Sequence, residues 1–381
     1  MKIEEIPTTA AEIGLEGILK SLKNIPQSPE KYQHDLRALE DSSYWNLDVV
    51  RAIALHANPN LAWCSEANAS IVEAIVQTKD IDQYLYPFIQ DDFCPRLKNI
   101  EKVAHWGRGK QSALKPRPSF QDQKFDASTL AQAWFLIDVT NNQDKEICKL
   151  TLLLIIDTLQ FDIPAKIQAC KLLEHLQIQD TPSIRNLIEP LQQNLAKCLN
   201  HIPSITPETD SFSLLSVAYP CIYRLDSEFG TDLNFIETIA TILSSISHVV
   251  SYPKLASFLL DQLSVCISHI GITVLVSITK IFYTLNQIIT NVGILEQSPS
   301  IIQHALEVEN AIIQLESPLV YTFIYDLMGA YYILRKRVET YNIKGLSEDI
   351  QRNMSSLKQL SIFCDKLSEF EDIQDSINKI N

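Results

Sequence analysis

The chain has 381 residues, a formal net charge of −14 and only 9 glycines. Average usage would give roughly 27 glycines, which argues against a fold built on hairpins or glycine-rich nucleotide loops. A hydrophobic content of 46% with 20% charged residues predicts a folded, soluble chain with ample core material. The acidic excess argues against nucleic-acid binding, which needs clustered Lys and Arg.

Membrane insertion, export and disulfide formation are not expected from this sequence. The most apolar regions, 150–156 and 271–282, are short or interrupted compared with the ~20 residues that a membrane span needs. The first residues, MKIEEIPTTAAEIG, are acidic where a signal peptide would be basic. The eight cysteines are scattered singly without a CxxC pair, which predicts reduced thiols and no zinc ribbon.

Residues 1–95 are predicted to form an N-terminal helical region. Thr9 and Glu12 resemble a capping box, and the apolar spacing that follows predicts a helix over Ala10–Lys23. Ser28-Pro29 predicts the start of the next helix, with Ser as N-cap and Pro at the first helical position. The same signal recurs at Thr181-Pro182, Thr206-Pro207, Ser298-Pro299 and Ser317-Pro318.

Residues 96–128 are predicted to form a basic loop that contains Pro and Gly, because the helical periodicity fails there. A basic segment with a Trp on an acidic protein would suit an acidic groove of a protein partner. The candidate contact residues are Trp106, Arg108, Lys110, Lys115 and Arg117. A merely solvated loop is the alternative.

All four tryptophans lie in the first 134 residues of the chain. Trp is enriched at binding hot spots, but it also fills cores. Trp45, Trp63 and Trp134 are predicted to lie in the core, which leaves Trp106 as the better candidate for a contact.

Residues 129–345 are predicted to form the core of an all-α fold, an α-solenoid of irregular HEAT/armadillo-like antiparallel helix pairs. Short connections favour antiparallel neighbours, and helices that are apolar around much of their circumference suit the inner layer of a stack. The sequence contains no strict repeat. Helices are predicted at about 130–139, 145–159, 164–178, 182–201, 208–229, 232–250, 253–270, 272–291, 299–315 and 318–341.

Residues 346–381 are predicted to carry one final helix over 346–379, with Ser347 as its N-cap. Apolar residues from Ile350 to Ile377, including Cys364, form a narrow seam along it. This helix is either a terminal cap that packs on the preceding helix or a docking helix for a partner.

No catalytic residue, metal ligand or cofactor-binding residue is predicted. Gly107-Arg108-Gly109-Lys110 fails the spacing of a phosphate-binding loop. The eight histidines show no HxxxH or HExxH pair, and no GxSxG elbow occurs. A Ser-His-Asp or Cys-His arrangement is not excluded, since its members can be distant in the chain.

The order of features over about Arg96–Ile294 resembles the Tel-two-interacting protein two family. The basic loop, the Trp134 helix, and an apolar helix that ends at Asp157 before a helix with Lys166 carry the first part of the likeness. The stretch IPSITPETDSFSLLSVAYPCIYRL carries the second. Its matching residues are Pro207, Leu214, Leu215 and Tyr219, with Ile202-Pro203 in place of the family's Leu-Pro. The resemblance implies packing and turn roles for these residues.

The resemblance further implies a non-catalytic scaffold subunit of the TTT co-chaperone complex. Such a subunit would bind the larger TTT subunits, most directly the Tti-one type solenoid and also the Tel-two type. Through them it would act with the Hsp-ninety system on phosphatidylinositol-3-kinase-related kinases, which serve the DNA-damage response, telomere maintenance and TOR signalling. It would be cytoplasmic and also nuclear, with no nucleic-acid or membrane partner.

Two other classes of function stay open. One is an independent helical-repeat adaptor in transport or trafficking, which would not co-purify with the TTT subunits. The other is an enzyme with a cryptic helical active site, which would need a deep pocket with converging titratable groups.

Overall fold

The computed structural model describes residues 10–25, 28–42, 45–95, 97, 127–343 and 345–379. Within these ranges the chain is helical and contains no strand, which confirms the predicted all-α class. Of the predicted basic loop 96–128, only 97, 127 and 128 are described.

The chain divides into two compact units, Met1–Leu195 and Ala196–Asn381. The boundary falls inside one helix and inside the predicted core 129–345. The predicted division into residues 1–95, 96–128, 129–345 and 346–381 stays a prediction.

The first unit contains helices on both sides of the undescribed segment. Before it lie α1 (Ala10–Lys23), α2 (Pro29–Glu40), α3 (Leu47–Ile53), a 3-10 turn (Ala54–His56), α4 (Glu66–Thr78) and α5 (Asp82–Pro87), which continues as a π-helical turn (Phe88–Phe93). After it lie α6 (Ala127–Val139), α7 (Lys145–Thr158), α8 (Ile163–His175) and α9 (Pro182–Cys198), whose last residues belong to the second unit. The predicted bounds of α1 are confirmed.

The turn Ala54–His56 lies at the centre of the first unit, where both α4 and α6 pack against it. His56 Nε2 lies 3.0 Å from the Leu22 carbonyl oxygen, and the imidazole packs against the Tyr32 ring at 4.3 Å between centroids. Burial lowers the pKa of His56 to about 4. The imidazole is therefore a neutral core group at physiological pH.

The second unit contains the remaining helices. They are α10 (Glu208–Phe229), α11 (Asp232–Val249), α12 (Pro253–Ile270), a 3-10 helix (Gly271–Ser277), α13 (Ile278–Ile289), α14 (Val292–Gln297), α15 (Pro299–Ile313), α16 (Pro318–Tyr321), α17 (Ile324–Tyr341), α18 (Leu346–Phe363) and α19 (Leu367–Lys379). The predicted bounds of α10 and α12 are confirmed, and α11 ends one residue before its predicted end.

Helices of the second unit pack in two rows. In one row α12 packs against α15, which packs against α18. In the other row α11 packs against α13, α13 against α17, and α17 against α19. Ser356 Oγ donates to Asn310 Oδ1 at 2.8 Å and Asn353 Nδ2 donates to the Leu306 carbonyl at 2.8 Å, so α15 and α18 run in parallel.

The Ser/Thr-Pro signal marks helix starts as predicted at four of its five sites. Pro29, Pro182, Pro299 and Pro318 are each the first residue of a helix. Pro207 instead precedes the first helical residue of α10 and occupies the N-cap position. Pro has no N–H to lose in the first turn, which explains why it is tolerated at these starts.

Three predicted helices are wrong because each one is interrupted. The predicted helix 272–291 begins as the 3-10 helix, after Gly271 at φ 51. Four of its five residues from Ile272 to Val276 are β-branched, which disfavours the α conformation. The predicted helix 318–341 breaks at Thr322, whose hydroxyl donates to the Leu319 carbonyl at 2.7 Å, a local bond that competes with the helix.

The third interruption divides the predicted C-terminal helix 346–379 between Phe363 and Leu367. Asp365 adopts a left-handed φ of 57, and the Lys366 N–H donates to the Ser361 carbonyl at 2.7 Å. This pattern of bonds is typical of a helix C-terminus. The predicted N-cap is also wrong, since Gly345 at φ 100 occupies that position in place of Ser347.

The segment Pro253–Ile289 is, within the described residues, long and apolar enough to cross a membrane. The prediction that the chain has no membrane span considered only residues 271–282 of this segment. Core helices of soluble proteins pass the same test of length and composition, and here α12 and α13 pack against α15.

A buried polar cluster lies between α15, α17 and α18. The Tyr331 hydroxyl donates to Glu309 Oε2 at 2.8 Å, and Asn353 Nδ2 lies 3.2 Å from the same hydroxyl oxygen. No described cation pairs with Glu309, and the residue is fully buried. Burial therefore raises the pKa of Glu309 to about 8.

Glu309→Gln is expected to abolish a loss of stability that the wild-type protein shows between about pH 4.5 and pH 8. The unfolded chain releases this proton near its ordinary pKa of 4.5, whereas the folded chain holds it to about 8. Rising pH therefore favours unfolding, by on the order of 4 kcal/mol across that window. Urea unfolding at a series of pH values measures the effect.

The control is Glu371→Gln, which neutralises an exposed carboxyl group of the same unit. Its unfolding free energy should follow the wild-type pH dependence. Parallel pH profiles for Glu309→Gln and the wild-type protein would contradict the assignment of a neutral Glu309.

Candidate protein-interaction surface

The predicted contact residues of the basic segment cannot be located. Trp106, Arg108, Lys110, Lys115 and Arg117 all lie outside the described residues. The prediction that they bind a partner therefore stays a prediction.

Asp157 and Lys166, two residues that carry the family resemblance, lie in the first unit. Asp157 is half-buried near the end of α7, and burial raises its pKa. Lys166 is buried on α8, where its ammonium group donates to the Phe161 carbonyl.

The residues of the second part lie in the second unit and are mostly buried. Leu214, Leu215 and Tyr219 are enclosed on α10, and Pro203 is buried in the turn that precedes it. Tyr219 belongs to an aromatic cluster with Phe258, whose ring centroid lies 5.9 Å away. Pro207 is exposed at the helix start.

The described tryptophans differ in exposure. Trp63 is buried, and its indole N–H donates to the Leu55 carbonyl at 2.9 Å, as predicted for a core residue. Trp45 and Trp134 are only half-buried. The core prediction is therefore confirmed for Trp63 and wrong for Trp45 and Trp134. Residue type alone does not distinguish a buried indole from a half-buried one.

Buried titratable groups in the described structure are packing groups. Seven of the eight cysteines are buried, and burial raises the pKa of both Cys64 and Cys266 to about 12. A thiol with such a pKa is protonated at neutral pH and is a poor nucleophile. No group of three or more His, Cys, Asp or Glu side chains that could hold a metal ion occurs within the described ranges.

Four of the exposed apolar side chains of the second unit lie on three elements that pack against one another. Leu233 is the second residue of α11, Ile272 and Val276 lie on the 3-10 helix, and Tyr283 lies on α13; all four are well exposed. Thr273 Oγ1 donates to Asp232 Oδ2 at 2.8 Å and so holds the start of α11 against the 3-10 helix. We call Leu233, Ile272, Val276 and Tyr283 the apolar corner.

The apolar corner offers large exposed apolar side chains for contact. Val276 is 77% exposed, and Tyr283 carries a hydroxyl at the edge of an otherwise apolar ring. Exposed apolar groups that cluster typically mark a surface for a protein partner, whereas single ones are ordinary. Helical periodicity did not indicate the corner, because the break at Gly271 and the Thr273 bond create it.

A further exposed residue lies within the family-like stretch itself. Ile205, between Pro203 and Pro207, is 90% exposed. The same stretch thus buries Leu214 and Leu215 and leaves one large apolar side chain in solvent. The buried residues support the helix packing, and Ile205 is available for contact.

The described residues define an all-α protein with an exposed apolar corner on its second unit. The sequence model of the Tti2 family matches residues 49–296, about two thirds of the chain. The chain belongs to the Tti2 family, the Tel-two-interacting protein two family, which supplies a subunit of the TTT co-chaperone complex. The match begins well before Arg96, so the family region includes α3 to α5 of the first unit.

Comparison with curated proteins and with solved structures found no match. The family assignment therefore rests on the family match alone. The matched range contains the apolar corner and every residue of the family-like stretch.

Leu215→Ala and Ile205→Ala are expected to lower stability by very different amounts, although both remove an aliphatic side chain from the same stretch. Leu215 is fully buried, so its truncation should cost about 2–5 kcal/mol of unfolding free energy. Ile205 is 90% exposed, so its truncation should change that free energy by less than about 0.5 kcal/mol. Urea denaturation of both variants measures the difference, and equal losses would contradict the packing described for α10.

Proposed function

We propose that this protein is a non-catalytic scaffold subunit of the TTT complex that supports the folding, assembly and stability of phosphatidylinositol-3-kinase-related kinases with the Hsp-ninety system. The observation that carries the proposal is the family match over residues 49–296. The larger TTT subunits, of the Tti-one and Tel-two types, are the proposed direct partners. The proposed location is the cytoplasm and the nucleus.

The packing of the second unit supports a scaffold role. Its two rows of helices suit an irregular α-solenoid, with α12, α15 and α18 in one layer and α11, α13, α17 and α19 in the other. Such a stack binds through extended surfaces and many side-chain contacts. The apolar corner is the proposed contact of this unit with a larger TTT subunit.

Replacing Tyr283 by Asp is expected to reduce the capture of the Tti-one type subunit at least about tenfold, because a charge would then face an apolar contact. The measurement is affinity capture of the tagged full chain from cells, with quantitative mass spectrometry of the TTT subunits. Tyr86→Asp is the matched control, since Tyr86 is 73% exposed and Tyr283 is 65% exposed.

The control variant should capture the subunits as well as the wild-type chain does. Equal capture by Tyr283→Asp and the wild-type chain would exclude the apolar corner from the interface. If the wild-type chain captured neither larger TTT subunit, the scaffold role itself would be wrong, and an independent helical adaptor would replace it.

Depleting this protein is expected to lower the steady-state amounts of several phosphatidylinositol-3-kinase-related kinases, because a maturation factor acts on newly made client chains. Quantitative immunoblots of the kinases after acute depletion measure this effect, with their messenger RNA as the control. Unchanged kinase amounts would count against the proposed role in maturation.

A further inference from the structure

An open groove runs along α4 in the first unit, with a volume of about 890 Å³. The helices α4 and α6 both pack on the central turn Ala54–His56, and the groove lies between them above that turn. Glu66, Ser70, Glu73 and Gln77 of α4 line one wall. Their spacing of four, three and four residues places them on one helix face over about 16 Å.

The floor of the groove carries a fixed aromatic ring. The Trp134 indole stacks on the His175 imidazole, with 3.8 Å between ring centroids and 4° between planes. His175 Nε2 lies 2.6 Å from Asp138 Oδ1, which holds the imidazole in place. Trp134 is half-buried and lines the groove, so an orientated indole faces the open space.

The charge of the groove is strongly negative. Five carboxylates line it, those of Glu66, Glu73, Asp80, Asp82 and Asp138. Of these five carboxylates, only that of Asp138 has an ion-pair partner among the described residues, and this partner is His175.

Lys79 is the one lysine or arginine among the described lining residues, and its charge is engaged elsewhere. Its Nζ donates to the Ser42 carbonyl at 3.0 Å and lies 5.8 Å from the Trp45 ring centroid. The carboxylates of α4 therefore face the groove without a neutralising cation from the described residues.

We propose that this groove binds a basic peptide segment of a partner protein, with an Arg or Lys side chain over Trp134 and further cations along the α4 carboxylates. A Trp face beside carboxylates is a favourable site for a guanidinium or ammonium group. The 16 Å wall, an estimate from helix rise, matches about five residues of extended chain at ~3.3 Å each.

This inference goes beyond the proposed function and does not depend on it. The groove lies in the first unit, on α4 and α6, whereas the proposed TTT contact is the apolar corner of the second unit. Loss of peptide binding and loss of TTT capture are therefore separate results from separate variants.

The test uses the full chain and a fluorescein-labelled peptide in which Arg and Lys alternate with Leu and Gln. Fluorescence polarisation gives its Kd, and a peptide with Glu in place of every Arg and Lys is the negative control. The basic peptide is expected to bind and the acidic one is not. Affinity should fall as ionic strength rises from about 0.01 M to 0.15 M, because charge pairs at the surface are screened.

Two variants of the chain are matched for the decisive comparison. Glu73 and Glu189 are both exposed, and each accepts a bond at 3.2 Å from the Gln four residues later. Glu73→Lys, in the groove, should weaken peptide binding about tenfold or more. Glu189→Lys, on α9 outside the groove, should change it less than about twofold.

Trp134→Leu is expected to weaken the same binding, and its thermal unfolding reports whether it folds. If it does not fold, the comparison of Glu73 with Glu189 still decides the question. Equal effects of the two Glu→Lys changes, or no binding by the wild-type chain, would overturn the proposal. Binding that appears only after Arg108, Lys110, Lys115 and Arg117 are neutralised would also overturn it, because the chain's own basic segment would then be the occupant.

Discussion

The packing of α15 between α12 and α18 is the constraint on which the second unit depends. This packing joins α12, α15 and α18 into one row. It also buries the Glu309 carboxyl group together with the Tyr331 hydroxyl. A charged carboxylate in that position would cost more than the hydroxyl bond returns, so a neutral acid is the form compatible with the fold.

Function in this protein depends on what the helix packing leaves exposed. Most of the apolar residues that the structure describes are buried, and so are seven of the eight cysteine side chains. The breaks between helices produce the features that remain available: the apolar corner arises at Gly271, and Ile205 protrudes from the turn before α10. In the first unit, the separation of α4 from α6 leaves an acidic groove with an indole at its floor. Each of these suits recognition of a protein surface or segment.

The sequence predicted long helices well and their interruptions poorly. The bounds of α1 follow from a capping box and apolar spacing, and the start of α10 follows from Thr206-Pro207; these signals act within one helix. The breaks at Thr322 and Asp365 depend on a hydroxyl bond and on a left-handed residue, neither of which changes the apolar period. The polar residues of α4 that line the groove recur at helical spacing in the sequence. Trp134 and His175, in contrast, are brought together only by the fold. Their stacking lies beyond what spacing along the chain can indicate.

We propose that this Tti2-family chain binds a larger TTT subunit through the apolar corner. Hydrogen–deuterium exchange of the full chain, alone and in complex with the Tti-one type subunit, tests it most directly. The account predicts slower exchange over Gly271–Tyr283 and at the start of α11 in the complex. Slower exchange elsewhere in the second unit, with no change over Gly271–Tyr283, would contradict it.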